Sequence, residues 1–182
     1  PLGTFTLLDE NTLLASAECS SPFQNGEAHF IEDKEGPPNR AYLKLYEALT
    51  LAGKQPQPGE FCIDVGGSPG GWAWVIHQCG AEVLSIDRSP LDPSISNLQG
   101  ISFQKRDAFT LLPDEFQAQD RRIDWLFSDL ICYPEKLYEW ILQWVESGSC
   151  KNFICTLKFK GKPDISIIDK FAAIPDSRVL HL

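Results

Sequence analysis

Methionine is absent from the 182 residues, histidine occurs three times, and no two of the six cysteines stand in a CxxC pair. His29, His77 and His181 lie far apart in the chain, so neither a zinc site nor a disulfide framework is expected. Cys62 and Cys155 sit inside apolar runs, where cysteine behaves as a small core residue, and a reducing cytoplasm is the expected setting. No apolar run reaches the ~18 residues of a membrane-spanning helix, and no basic-then-apolar leader opens the chain. Cations are outnumbered: 16 Lys and Arg face 25 Asp and Glu, a net charge of −9. That balance argues against a module gripping nucleic acid through a general basic surface. An RNA or DNA substrate would need a local basic patch or a separate binding domain. A chain that starts at Pro1 and holds no methionine is expected to be a piece of a longer protein, or a sequence from which modified methionines were dropped.

What remains has the composition of one folded domain, 43% hydrophobic and 23% charged. Thr4 to Leu8 and Thr12 to Ala17 read as two short strands about the turn-prone Asp9-Glu10-Asn11, followed by a polar stretch from Ser20 to Pro38. Residues 1–35 are therefore expected to be a hairpin and linker, the tail of a preceding domain. From Asn39 helix and strand alternate. Arg40 to Ala52 carries Tyr42, Leu45, Leu49 and Ala52 on one helical face, ended by Gly53 and the Pro56/Pro58 pair. Strands are expected at 61–65, 81–86, 101–104, 123–128, 152–157 and 178–182, and helices at about 71–79, 135–146 and 165–173. Strands apolar on both faces and separated by helices mean an α/β fold, with a mostly parallel central sheet covered on both sides.

Asp64-Val65-Gly66-Gly67-Ser68-Pro69-Gly70-Gly71-Trp72 joins the first of these strands to a helix. Glycines there permit positive φ and close approach of a ligand, and the helix start offers free N–H groups to a carboxylate or phosphate. A bare glycine turn is a modest signal, shared by nucleotide and adenosylmethionine binders. Spacing sharpens it. Asp87 ends the next strand, about 20 residues on, where the two hydroxyls of a bound ribose are read. Asp107 follows the third strand, placed to accept from an adenine amino group, and Asp129 ends the fourth. All three stand at strand carboxyl ends, the edge where open α/β sheets bind ligands. The turn is neither GxGxxG nor a GK[ST] phosphate loop, and its acids suit a cationic sulfonium better than a polyphosphate. S-Adenosylmethionine fits best.

The segment DVGGSPGGW, with Asp87, Asp107 and Asp129, resembles the FtsJ-type class I RNA ribose 2′-O-methyltransferases. Among these it most resembles the RlmM-like enzymes acting on a cytidine of bacterial 23S ribosomal RNA. Pro38 to Leu45 (PNRAYLKL) resembles the family's helix with its first catalytic lysine, and Thr156 to Phe159 (TLKF) the segment with its second. The resemblance covers about residues 36–182 and implies a Rossmann-like methyltransferase domain there. It implies a Lys–Asp–Lys–Glu set, here Lys44, Asp129 and Lys158, with the glutamate beyond the last strand and the C-terminal hairpin incomplete. It also implies S-adenosylmethionine contacts from Ser68, Pro69, Gly70, Gly71, Trp72, Asp87, Asp107 and Asp129, while the family's cofactor serine is Ala41 here. The implied partner is RNA, ribosomal RNA in particular. No membrane and no metal are implied, and a monomer is expected.

A ribose hydroxyl is a poor nucleophile until a base takes its proton, and Lys158 as a neutral amine is the candidate base. Desolvation and a nearby cation such as Lys44 would favour the neutral amine, whereas Asp129 would orient the lysine and oppose it. Lys151, Lys158, Lys160 and Lys162 are expected to form a phosphate-facing basic rim. Trp72, Trp74, Trp125, Trp140 and Trp144 read as mostly core, with Trp72 walling the cofactor pocket. Two other readings stay open: a small-molecule methyltransferase, and a cofactor-binding domain without catalysis that serves as an interaction module. Amines far from the pocket would favour the latter.

Overall fold

The computed structural model describes residues 3–23, 26–117, 122–159 and 164–181. Two separate sheets organise the chain. The first is an antiparallel hairpin of β1 (Thr4–Asp9) and β2 (Thr12–Ser16), every residue of which is exposed. The stretch after it is strapped to the body. The Phe30 ring sits 5.8 Å from Tyr46, and the Asp33 N–H donates to the Tyr42 hydroxyl at 2.7 Å.

The second sheet is built on β3 (Phe61–Val65), buried along its whole length. β4 (Glu82–Asp87) and β6 (Ile123–Ser128) flank it, and β5 (Ile101–Lys105) and β7 (Cys150–Cys155) form the edges. The order is β5-β4-β3-β6-β7, with every pair parallel. Parallel neighbours need crossovers, and helices supply them on both faces. On one face lie α1 (Tyr42–Ala52), α2 (Gly71–Gln78) and α3 (Pro93–Ser96), whose Leu45, Leu49, Val75, Ile76 and Ile95 pack with Cys62, Val83 and Phe127. On the other, α4 (Asp114–Gln117), α5 (Pro134–Ser147) and α6 (Ile167–Ala172) cover Ile63, Val65 and Leu126.

α5 shows how the sequence dictates an element. Leu137, Trp140, Ile141 and Trp144 recur at three-to-four spacing and are all buried, which gives the helix one apolar face to lay on the sheet. Pro134 stands in the first turn, where no intrahelical donor is needed, and Gly148 ends the helix with φ 63°.

The α/β reading holds, and most expected elements lie within two residues of the observed ones. β7 runs two residues earlier than expected. The last expected strand, 178–182, is not one: residues 178–181 join no ladder, and Leu182 lies outside the described residues. Arg178 instead donates through Nη2 to the carbonyls of Leu51 (3.2 Å) and Ala52 (3.4 Å) at the end of α1. A cation there meets carbonyls that the helix itself leaves unpaired. Among the described residues no helix is long and apolar enough to cross a membrane.

Candidate active site

The chain leaves β3 toward one edge of the sheet and returns to add β6 on its other side, so the exits of β3 and β6 diverge and open a crevice. Asp129 stands immediately past β6, and Lys158 three residues past the end of β7. The Thr156 N–H donates to the Ser128 carbonyl at 2.9 Å, which keeps the two exits side by side. Lys44 comes from the first turn of α1, where buried Tyr42 and Leu45 pin the helix and leave the lysine on the adjoining face.

These three groups meet. Lys44 Nζ donates to both carboxylate oxygens of Asp129, at 2.8 and 2.6 Å. Lys158 Nζ lies 3.1 Å from Oδ1 and also donates to the Asp129 main-chain carbonyl. Thr156 Oγ1 completes the set with a 2.7 Å hydrogen bond to Oδ1. Burial pushes the Asp129 carboxyl up, but hydrogen bonds from Lys44 and Thr156 and the two lysine charges outweigh it, leaving it below the usual carboxylate range. Lys151 does not join the expected basic rim. Lys151 sits at the opposite end of β7, paired with Asp124, and strand rise separates it from Lys158 by roughly 20 Å at ~3.3 Å per residue. Lys160 and Lys162 lie outside the described residues.

Two adjoining cavities, of about 380 and 310 Å³, share Gly66, Asp87, Leu130 and Ile131. Arg88, Asp107, Phe109 and Lys136 line the larger; Asn39, Ser68, Gly71, Trp72, Asp129 and Lys158 line the smaller. Pro69 and Gly70 are on neither wall. The Pro69 carbonyl accepts from the Asp92 N–H at 2.9 Å, and a Cβ on Gly70 would stand 2.8 Å from Ile95, so both serve to carry the turn across α3. Asp87 accepts from the Ser68 N–H (3.2 Å) and the Ser89 N–H (2.8 Å). Asp107 is already engaged on each oxygen: it holds Arg88 and the Phe109 N–H (3.0 Å). The Arg88 hydrogen bond is the main reason its carboxyl lies below the usual range.

Three side chains at this edge escape the sequence signal. Thr156 and Asn39 stand inside the quoted segments TLKF and PNRAYLKL, but nothing in spacing gives them a partner. Asp64 is fully buried, and neither its carboxyl nor the Ser85 hydroxyl across the ladder has a hydrogen-bond partner. Gly67 leaves the room they occupy, because a Cβ there would stand 2.1 Å from Ser85 Oγ and 2.5 Å from Asp64 Oδ2. Burial first, then the charges of Asp129 and Asp87, push Asp64 up to about 7. The Ala73 N–H at the start of α2 opposes this in part without reaching hydrogen-bonding geometry.

A parallel sheet with a glycine turn and a row of acids along its carboxyl edge defines a Rossmann-like binding domain. The FtsJ-like methyltransferase family model matches residues 37–171, and the chain belongs to that family, whose members use S-adenosylmethionine. Two similar proteins are both called Ribosomal RNA large subunit methyltransferase M. That of Halorhodospira halophila is 34% identical over 124 residues, 66% of this chain and 35% of that protein. That of Xylella fastidiosa strain 9a5c is 32% identical over 164 residues, 86% of this chain and 45% of that protein. The chain thus spans between 35% and 45% of the length of these relatives. The crystal structure of a hemolysin candidate from Lactococcus lactis shares the fold, with a TM-score of 0.53 at 22% identity, over 60% of this chain and 54% of that one.

Proposed function

We propose that this chain transfers a methyl group from S-adenosylmethionine to a ribose 2′-hydroxyl of RNA, with large-subunit ribosomal RNA as the substrate. What carries the reading is Asp129 holding both Lys44 and Lys158 at the mouth of the crevice, beside the glycine turn. A catalytically empty binding module would have no need to gather two amines there. The names of the similar proteins support the choice of RNA.

The cleft suits the cofactor. Asp87, where the cavities join, would hold the ribose hydroxyls and Asp107 with Arg88 the adenine, beside the apolar Leu130 and Phe109 that line the larger cavity. Ser68, Gly71 and Trp72, which line the smaller cavity, would hold the remaining end, and Asp129 would supply negative charge for a sulfonium. When bound, the cofactor supplies an electrophilic methyl group on a sulfur that leaves as a neutral thioether. Lys158, once its ammonium has given a proton to solvent, takes the proton of the 2′-hydroxyl as a neutral amine and becomes the ammonium again. Asp129, held ionised by its partners, fixes both amines in place, and Lys44 supplies positive charge where the ribose oxygen becomes negative. Residues 36–182 form the methyltransferase domain, with 1–35 a hairpin and linker attached to it. Six free thiols accord with a reducing, cytoplasmic setting.

The test is transfer of labelled methyl to unmodified 23S RNA. Replacing Lys158 by Ala is expected to lower the rate by about 100-fold or more, the usual scale of losing a general base. Equal labelling by both proteins would remove Lys158 from the reaction.

A further inference from the structure

Between β6 and α5 the chain passes along the cleft in five residues, Asp129 to Tyr133. Alternate side chains turn in and out. Leu130 lies against Gly66, where an added Cβ would stand 2.8 Å from its Cδ2, and half-buried Cys132 packs against the core. Ile131 and Tyr133 go the other way, 72% and 70% exposed. Both still line the cleft: Ile131 is on the wall common to the two cavities, and Tyr133 on that of the larger. The segment is held at both ends, by the lysines on Asp129 and by buried Pro134. The Leu137 N–H also donates to the Tyr133 carbonyl at 3.2 Å. Among the described residues the Tyr133 hydroxyl makes no hydrogen bond and its ring meets no other ring.

A single exposed isoleucine or tyrosine needs no explanation, but two fixed side by side next to the reacting groups do. RNA brings the matching surface, its bases. The grip on phosphates is poor, because the net charge is −9 and Lys44, Lys158 and Arg88 are held on acids. Affinity then has to come from contacts that need no charge, and every base has a face that stacks on an aromatic or apolar side chain. Ile131 is two residues from Asp129, within about 7 Å at up to ~3.6 Å per residue, so it reaches the nucleotide whose hydroxyl meets Lys158. Tyr133, two residues further, reaches the next base.

We propose that Ile131 and Tyr133 form a stacking platform for the bases of the RNA substrate, Ile131 for the target nucleotide and Tyr133 for its neighbour. This deepens the methyl-transfer reading above and rests on it. It narrows the substrate to RNA that is unpaired at the modified position, since bases stacked in a duplex have no free face to offer.

Methyl transfer to unmodified 23S RNA, read as KM and kcat, tests this with Tyr133→Ala, Tyr133→Phe and Ile131→Ala. Substitutions at such exposed positions leave the fold intact. Tyr133→Ala is expected to raise KM about tenfold or more, the scale of losing one stacked base, and Ile131→Ala to raise it by less. Tyr133→Phe keeps the ring and stays within about twofold of wild type. All three are expected to hold S-adenosylhomocysteine within about twofold of wild type by titration calorimetry. Fluorescence anisotropy at low salt separates bases from phosphates, using a short oligocytidylate and an abasic strand of the same length. Wild type is expected to prefer the oligocytidylate, and Tyr133→Ala to lose that preference. An unchanged KM in Tyr133→Ala, equal binding of the two strands by wild type, or weakened S-adenosylhomocysteine binding in the variants overturns the platform and leaves methyl transfer standing. A wild-type chain that binds S-adenosylhomocysteine but methylates no 23S RNA overturns the RNA reading, and this inference with it.

Discussion

Asp64 is a carboxyl group without a hydrogen-bond partner in the centre of the sheet, and its titration is a property of the fold. In the unfolded chain it ionises near its ordinary 3.8; in the folded protein burial holds the proton until about 7. Between those values the unfolded state binds fewer protons, so this group makes stability fall as pH rises from about 4 to 7, by on the order of 4 kcal/mol at about 1.36 kcal/mol per pKa unit. Asp64→Asn carries no such charge. Denaturant unfolding at pH 4.5 and 7.5 is expected to show a smaller loss on raising the pH in the variant than in the wild type; parallel losses would mean that Asp64 is ionised in the folded protein. At this scale the acids along the sheet edge were legible from spacing, and Lys44 and Lys158 from their motif segments. Asn39, Thr156 and Asp64 were not, because each acquires its role from what packs against it: Gly71, the Asp129 carboxylate and Gly67.

Among the elements, the β1–β2 hairpin stands apart. Phe5, Leu7, Leu8, Leu13 and Leu14 are between 55% and 69% exposed, so the hairpin contributes none of the domain's buried core residues. Deleting residues 1–16 is expected to move the thermal midpoint of the remainder by less than about 2 °C, since changes at exposed sites usually cost within ~0.5 kcal/mol. Circular dichroism melting checks this, and a drop of many degrees would mean that the hairpin packs on the body. The strands of the main sheet were legible as short apolar runs because parallel strands are buried on both faces. The segment at 178–181 has the same apolar look, yet Arg178 ties its start to the end of α1. Local pattern states that a stretch suits a strand; it does not state whether a neighbour is there to pair with it.

At the scale of the whole molecule, the net charge of −9 would govern the encounters with RNA that the proposed function requires. Among the described residues most cations of the cleft are paired with acids: Lys44 and Lys158 are held on Asp129, Arg88 on Asp107 and Arg106 on Glu115, while Lys136 lies over the Phe109 ring. Fluorescence anisotropy with unmodified RNA is therefore expected to show weak binding by this chain at physiological salt, strengthening as salt is lowered. Tight, sequence-independent binding at that salt would contradict the charge argument.

By itself the sequence settled the α/β architecture and the edge of the sheet along which the glycine turn and the acids line up. Both follow from local properties: hydrophobic period, glycine placement and acids at strand ends act over a few residues. Only the tertiary structure decided that Lys44, 85 residues from Asp129, shares its carboxylate with Lys158, that Arg88 covers Asp107, and that Lys151 is at the far end of its strand. Those outcomes depend on strand order and on which side chain reaches which oxygen first, and distance along a chain carries no record of either.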